Sequence, residues 1–280
     1  MPSRCNRQHT RADGQTVGVI ELRAANVGCT IRPDDGGRLA SLRVGRQQLL
    51  VEQGDVAAAT GESDPMSWGS YPMAPWAGRV RHGRFVFEGS RHELPINLAP
   101  HSIHGTVFTR AWHVDVVNDD STSATLSCAL GPLWPFGGFA TQTITLGPDR
   151  LDCVLSVTGA EHAMPVLLGW HPWFVKPMGA DLRFAAMYQR DAEGIPTGVL
   201  VTPPTGPWDD CFIEPLAPIT LHYDTCTITV TSDCSHWVVY DQPHHATCIE
   251  PQSGPPDAFN LGAEVLLPGQ TLQRTMTIRW

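Results

Sequence analysis

The 280-residue sequence contains a single lysine, Lys176, among its 19 basic residues. Chemistry that depends on a lysine, such as formation of a Schiff base, therefore has one candidate residue in the whole chain. The 28 acidic residues outnumber the basic ones and give a formal net charge of −9. Because an acidic chain is a poor binder of polyanions, we expect no nucleic-acid partner.

The sequence also has no long hydrophobic run. Its longest apolar stretch, residues 164–175, contains His171 and Pro172 and is too short to span a bilayer. Residues 1–14 are polar and lack the apolar segment of a secretory signal. The eight cysteines are scattered without a C-x-x-C pair, which favours free thiols. We therefore expect a cytoplasmic protein with no membrane partner.

Motifs for nucleotides and for a serine nucleophile are missing. The chain has no G-x-x-x-x-G-K-[ST], no G-x-G-x-x-G between a strand and a helix, and no G-x-S-x-G elbow. His101 and His104 have the i, i+3 spacing of two metal ligands, but no further ligand lies at a suitable spacing. We expect neither a cofactor nor a metal.

What the sequence does have is apolar and polar residues in alternation, with 26 glycines and 24 prolines for turns. A period of two, as in residues 151–157, is typical of half-buried β-strands. Turn residues between such segments predict hairpins at residues 112–130, 143–157 and 80–87, the last around His82-Gly83. No segment has the sustained period of 3.6 residues that indicates a long helix.

These patterns predict an all-β fold, a large antiparallel β-sandwich. We find no internal repeat and no linker-like change in composition. The prediction is a single domain over residues 1–280, with a flexible N-terminus at residues 1–15.

Four segments concentrate residues that are useful for chemistry or costly to bury. They are residues 68–79, 97–105, 168–174, and 208–212 together with 249–260. Taken singly, each has an ordinary structural interpretation, namely a rigid loop, hydrogen-bonded loop histidines, a core histidine and solvated turn carboxylates. In the third segment, the tryptophans that flank its histidine favour a functional interpretation slightly, because indole faces stack on sugar rings.

Taken together and in this order, the segments resemble the aldose 1-epimerase (galactose mutarotase) family, from about Asp34 to Trp280. Five motifs carry the resemblance: Pro75-Trp-Ala-Gly78-Arg79, Asn97 with His104-Gly105, His171-Pro-Trp173-Phe174, Trp208-Asp209-Asp210-Cys211-Phe212, and Glu250-Pro251-Gln252 followed by Pro256-Asp257-Ala258-Phe259-Asn260. Each motif alone is unspecific, and their order makes the resemblance specific.

The resemblance implies an open carbohydrate cleft on one face of the sandwich. Glu250 would be the general base, His171 the general acid, and His104 a second polar contact near the ring oxygen of the sugar. The further residues implied to bind the sugar are Arg79, Asp209, Trp173 and Trp76. Two positions differ from the family pattern, since Gly78 stands where asparagine is usual and Trp173 where tyrosine is common.

Such a site interconverts the α and β anomers of an aldose through the open-chain aldehyde. One group must accept the proton of the C1 hydroxyl while another delivers a proton to the ring oxygen. A glutamate with an ordinary pKa of about 4.3 and a histidine near about 6.5 divide these roles. The predicted partner is a small-molecule aldose.

Three alternatives remain open from the sequence. A non-catalytic carbohydrate-binding or sugar-sensing module would keep the cleft but would not need Glu250 together with His171. A glycoside hydrolase would pair Glu250 with Asp209 or Asp210. Finally, the aldose is either free or phosphorylated. The cluster Arg79, Arg81, Arg84 and His82 indicates a phosphosugar site in one interpretation and a solvated surface in the other.

Overall fold

The structure, a computed structural model, describes residues 18–60 and 64–280, so the predicted flexibility of residues 1–15 lies outside it. The described part contains two short helices, α1 (Gln53–Thr60) and α2 (Ala258–Leu261), and otherwise strands. The strands are β1 (Ile20–Ala24), β2 (Val27–Arg32), β3 (Arg38–Val44), β4 (Gln47–Gln48), β5 (Ser70–Met73), β6 (Arg79–Val80), β7 (Arg84–Phe87), β8 (Ser90–Glu93), β9 (Ser102–Ile103), β10 (His113–Val117), β11 (Ser123–Ala129), β12 (Phe139–Leu146), β13 (Arg150–Thr158), β14 (Met164–Val166), β15 (Gly169–Val175), β16 (Gly179–Asp181), β17 (Phe184–Arg190), β18 (Pro196–Val201), β19 (Asp209–Pro215), β20 (Ile219–His222), β21 (Thr227–Ser232), β22 (His236–Tyr240), β23 (Ala246–Gln252), β24 (Glu264–Leu266) and β25 (Thr271–Arg279).

Two large sheets dominate the architecture. The first has the order β1-β2-β3-β5-β15-β23-β22-β19-β17-β18, with β4 added beside β3, and the second has the order β10-β11-β12-β13-β25-β21-β20-β16. The strand pairs in both sheets are antiparallel. Three small ladders, β14-β24, β6-β9 and β7-β8, complete the strands of the described residues.

The two sheets pack face to face around one hydrophobic core. In β13, for example, Leu151, Cys153, Leu155 and Val157 are buried while the residues between them are half-buried. Side chains of both sheets belong to the same buried cluster. The predicted large antiparallel β-sandwich is therefore confirmed, and its origin is the period-two alternation of the strands.

Two of the three predicted hairpins form and one does not. Strand β10 pairs with β11 and β12 pairs with β13, as the turn residues indicate. The hairpin predicted at residues 80–87 is wrong, because β6 pairs with β9 while β7 pairs with β8. The reason lies in side chains from distant segments: Asp257 accepts from the backbone N–H of Arg81, and His101 accepts from that of His82. These bonds separate the two halves of the expected hairpin.

Two predictions from the sequence, on membrane spans and on cysteine thiols, can be compared with the structure. Within the described residues, no helix is long and apolar enough to cross a membrane. The seven cysteines there are free, and six of them are buried.

Candidate active site

The centre of the site is a buried pair formed by His171 and Glu250. The register between β15 and β23 pairs Gly169 with Gln252 and Trp173 with Cys248, which places His171 opposite Glu250 on the same face of the sheet. His171 Nε2 lies 3.2 Å from Glu250 Oε1, and both side chains are buried. The structure therefore brings together the two residues that the sequence assigned as acid and base.

Aromatic rings hold the imidazole of His171 in place. Tyr71 of β5 is paired with His171 in register, and their rings stack with centroids 4.9 Å apart. Trp173 follows two residues along β15, and its ring lies nearly parallel to the imidazole at 5.4 Å. These contacts fix the plane of the imidazole, so that Nε2 is directed at Glu250.

His104 joins the pair from the loop after β9. Its ring is perpendicular to that of His171, with centroids 5.0 Å apart, and its Nδ1 is buried with no hydrogen-bond partner in the structure. The next residue, Gly105, packs so closely that a Cβ there would lie 2.0 Å from the carbonyl oxygen of Ala74. Glycine at this position therefore allows the loop to place His104 against His171.

Burial disfavours charge on each of these three residues. It lowers the pKa of His171 to about 3, and it lowers the pKa of His104 well below its ordinary value, an effect to which His171 adds. It also raises the pKa of Glu250 well above its ordinary range, helped by Asp209 and opposed by Gln252 and Arg79. In the free site His171 and Glu250 therefore share one proton as a neutral pair rather than as two separated charges.

Arg79 and Asp209 meet at the edge of this group. Arg79 Nη2 lies 3.4 Å from Asp209 Oδ2, and the two side chains are 25% and 24% exposed. Arg190, which the sequence reasoning missed, also approaches Asp209 Oδ2 at 3.2 Å and contacts Asp210 Oδ1 at 2.6 Å. An irregularity in the pairing of β17 with β18 occurs between Tyr188 and Arg190. Such irregularities redirect side chains, and no motif of the sequence signals this one.

The two tryptophans assigned to sugar binding occupy different environments. Trp76 is 2% exposed and packs against Trp134 and Phe259, with ring centroids 5.8 and 6.4 Å away. The planes of these two rings are inclined to that of Trp76 by 37° and 63°, and the sugar contact of Trp76 stays a prediction. Trp173 lies beside His171 and belongs to the wall of the site, although it is only 7% exposed.

Gly78, which stands where the family pattern has asparagine, has a conformational explanation. Its φ of +69° lies in the left-handed region, which glycine adopts freely and asparagine tolerates better than most residues. A Cβ at this position would lie 2.9 Å from the ring of Pro256. Glycine thus keeps the backbone that orients the following Arg79 while it relieves a close contact.

The arginines next to Arg79 are already paired with carboxylates. Arg81 contacts Asp191 and also Glu193, the latter at 2.5 Å, and Arg84 Nε lies 3.0 Å from Glu93. Their positive charge is therefore offset locally, which favours the interpretation of this cluster as a solvated surface.

The two histidines with metal-like spacing do not point at a common centre. The Nδ1 of His101 accepts from the backbone N–H of His82, and its Nε2 lies 3.2 Å from the carbonyl oxygen of Glu193. His104 faces His171 instead. Within residues 18–60 and 64–280, no group of three or more histidine, cysteine or acidic side chains is arranged to hold a metal ion.

Two further residues of the site, Tyr71 and Gln252, were not among the predicted ones. Gln252 Nε2 donates a hydrogen bond of 3.1 Å to Glu250 Oε2. Its position two residues after Glu250 on one strand was an available signal, because such residues share a face. Tyr71 lies within the segment 68–79 that the sequence singles out, but its place beside His171 depends on the register of two distant strands.

Comparisons with known proteins bear on the family and the fold of the chain. A family model described as aldose 1-epimerase matches residues 18–279. The uncharacterized protein YphB of Escherichia coli K12 is 32% identical over 120 residues, which are 41% of this chain and only 39% of that protein. Among solved structures, galactose 1-epimerase from Lactobacillus acidophilus superposes with a TM-score of 0.79 at 16% identity, covering 98% of this chain and 97% of that one.

A galactose mutarotase-like protein from Clostridium acetobutylicum superposes with a TM-score of 0.76 at 18% identity, covering 93% of this chain and 94% of that one. At such identities these structures show a shared fold. The family model is the stronger finding, since it spans the described residues from the first strand to the last. The chain therefore belongs to the aldose 1-epimerase family.

Proposed function

We propose that the protein is a mutarotase, which interconverts the α and β anomers of an aldose by general acid–base catalysis. The observation that carries this proposal is the buried contact of 3.2 Å between His171 Nε2 and Glu250 Oε1. A carboxyl and an imidazole at this distance share one proton and can exchange it. Ring opening needs one acceptor and one donor of this kind, close together.

The proton begins on the neutral pair and moves to His171 as the sugar binds. The carboxylate of Glu250 then accepts the proton of the C1 hydroxyl, the C1–O5 bond breaks as the C1 carbonyl forms, and His171 protonates O5. Rotation about the C1–C2 bond presents the other face of the aldehyde, and the reverse transfers close the ring. The pair returns to its starting state with no net change in protons.

Neighbouring groups support the charged form that burial disfavours. Arg79 and the amide of Gln252 both favour the ionised carboxyl of Glu250, in opposition to its burial and to Asp209. His104 stays neutral in its buried position and offers a second polar contact near the ring oxygen. In this proposal Arg79 and Asp209 hold sugar hydroxyls, and Trp173 lines the ring of the sugar.

The proposed substrate is an unphosphorylated aldose. A phosphate needs basic side chains that are free to bind it, whereas Arg81 and Arg84 are paired with Asp191, Glu193 and Glu93. Arg79 itself is paired with Asp209, beside Arg190 and Asp210. The acidic groups around this edge disfavour a dianion on electrostatic grounds.

Polarimetry of freshly dissolved α-D-glucose and α-D-galactose tests the proposal. We expect the protein to accelerate the change in rotation, and the variant Glu250→Gln to lose that acceleration while it still folds. An uncatalysed rate with the wild-type protein contradicts mutarotase activity. Calorimetric sugar binding without acceleration identifies a binding module instead, and release of an aglycone from a chromogenic glycoside identifies a hydrolase.

A further inference from the structure

The side chain of Gln252 is fully buried next to the pair formed by His171 and Glu250. Its Nε2 donates to Glu250 Oε2, so the carboxyl of Glu250 is held at both ends, with Oε1 near His171. The other end of the amide, Gln252 Oε1, is buried with no hydrogen-bond partner in the described structure. A buried unpaired oxygen is unfavourable for folding, so packing alone does not account for an amide at this position. The hydrogen bond from its Nε2 to Glu250 gives the amide a role.

The opposite strand leaves room for this side chain. Gly169 of β15 is paired with Gln252 in register. A Cβ at Gly169 would lie 2.4 Å from the carbonyl oxygen of Pro251 and 3.2 Å from Cγ of Gln252. Glycine at this position therefore permits Gln252 to lie along the sheet towards Glu250.

We propose that Gln252 is a positioning residue for Glu250, which orients Oε1 towards His171 and favours the ionised carboxyl by donating a hydrogen bond to Oε2. The inference rests on the proposed function, since the carboxyl that it positions is the proposed general base. A hydrogen bond from an amide to an ionised carboxyl is stronger than one to the neutral acid. Gln252 thereby offsets part of the cost of ionising a buried glutamate.

The other groups around Glu250 do not replace this hydrogen bond. The titratable and charged groups that face Glu250 are His171 of β15, Tyr71 of β5, Cys248 of β23, Asp209 and Cys211 of β19, and Arg79 of β6. The contact of His171 with Glu250 is to Oε1, at 3.2 Å. Asp209 disfavours the ionised form, and Arg79 acts on it through its charge. Removal of the amide therefore moves ionisation of Glu250 to higher pH.

The variant Gln252→Met tests this, because methionine keeps the volume and removes the donor. We expect kcat/KM for anomerisation at pH 6 to fall about 10- to 100-fold, the range for a hydrogen bond to a charged group, with KM little changed. The basic limb of the pH profile, where the pair loses its shared proton as Glu250 ionises, moves to higher pH, so the loss is smaller at pH 8. Gln273→Met, at an exposed position of β25, is the matched control and leaves kcat/KM and the pH profile unchanged.

A purely structural role for Gln252 predicts a different result, namely a lower kcat with an unmoved basic limb. That result, or a kcat/KM within twofold of the wild-type value at every pH, overturns the proposal. If Gln252→Met does not fold, the isosteric Gln252→Glu is used. It places a second carboxyl against Oε2, so we expect the basic limb to move to higher pH there as well, and an unmoved basic limb counts against the proposal.

A titration that does not depend on catalysis separates this proposal from the proposed function. The carboxyl of Glu250 is followed by carbon NMR in wild-type protein and in Gln252→Met. A midpoint at higher pH in the variant supports the positioning role even if the wild-type protein shows no anomerisation, which would count against the mutarotase alone. Equal midpoints contradict the positioning role whatever the activity.

Discussion

Two neighbouring residues of β15, Trp170 and His171, point to opposite faces of the same sheet and meet very different polar environments. Between the sheets, Trp170 Nε1 donates to Gln142 Oε1 at 3.1 Å, and Gln142 Nε2 donates to the carbonyl oxygen of Gly37 at 2.9 Å. Both ends of that amide are paired. On the other face, Nδ1 of His171 and Nδ1 of His104 are buried without partners in the described structure.

The difference separates two uses of buried polar groups. A fully paired amide between two sheets stabilises their relative placement, since either end is costly to leave unpaired. Unpaired groups on the site face reduce the stability of the free protein and are available to a bound sugar. Substitutions on the core face should therefore change stability, and those on the site face should change activity.

The largest expected effect is on catalysis in His171→Asn. Loss of the proposed acid should lower kcat by about 10²- to 10⁴-fold, the usual contribution of a general acid or base. The free energy of unfolding should change little, because His171 is incompletely paired in the free protein. Exchange NMR of the two anomers measures the rate. His222→Asn, at a half-buried residue of β20 that contacts Asp181, is the control and should keep full activity.

Near wild-type anomerisation in His171→Asn would contradict the assignment of the acid. A loss of both activity and stability would instead place His171 with the core residues and weaken the contrast between the two faces of β15.

The opposite pattern is expected for Gln142→Leu. Leucine leaves Trp170 Nε1 and the carbonyl oxygen of Gly37 unpaired, so the free energy of unfolding should fall by about 2–4 kcal/mol. The rate per folded molecule should stay near the wild-type value. Urea unfolding measures the first quantity and exchange NMR the second, with Gln273→Leu as the exposed control. A loss below about 1 kcal/mol would show that the pairing between the sheets matters little.

The dependence of stability on pH sharpens the comparison. Burial depresses the pKa of His171 to about 3, below the value near about 6.5 in the unfolded chain. Its contribution to stability is therefore complete above about pH 6.5 and is lost as the pH falls towards about 3, because the unfolded chain binds the extra proton. In His171→Asn this loss of stability is absent. The difference from the wild-type protein is up to about 1.4 kcal/mol per pH unit between about pH 6.5 and about pH 3.

Urea unfolding at pH 7 and pH 5 measures that difference. We expect the wild-type protein to lose more stability than His171→Asn over this interval, whereas Gln142→Leu should follow the wild-type trend. His236, whose pKa burial also lowers, contributes equally in all three proteins. The pKa of His104 is lowered in part by His171, so it rises in His171→Asn and adds to the expected difference. Parallel curves for the wild type and His171→Asn would contradict burial of a neutral His171.

The sequence predicted the sandwich well because strand alternation is local information, as β13 shows. The failed hairpin at residues 80–87 depended on Asp257 and His101, which local patterns do not report. The same contrast between local and long-range information holds for the site residues. Motif order found His171 and Glu250, whereas Arg190 and Tyr71 reach the site through strand register. Trp76 packs against Trp134, a contact that no local pattern reports, and its role in sugar binding stays a prediction.

The smallest expected effect concerns Asp209, which lies at the edge of the site face rather than in its buried centre. Asp209→Asn keeps the shape and weakens the contacts to Arg79 and Arg190, so KM for the sugar should rise about three- to tenfold with a smaller change in kcat. Because the charge of Asp209 raises the pKa of Glu250, its removal should also move the basic limb of the rate profile to lower pH. Asp181→Asn, on the other sheet, is the control. If KM is unchanged and the limb of the pH profile does not move, Asp209 does not take part in sugar binding. Only the buried residues of the site face would then contribute.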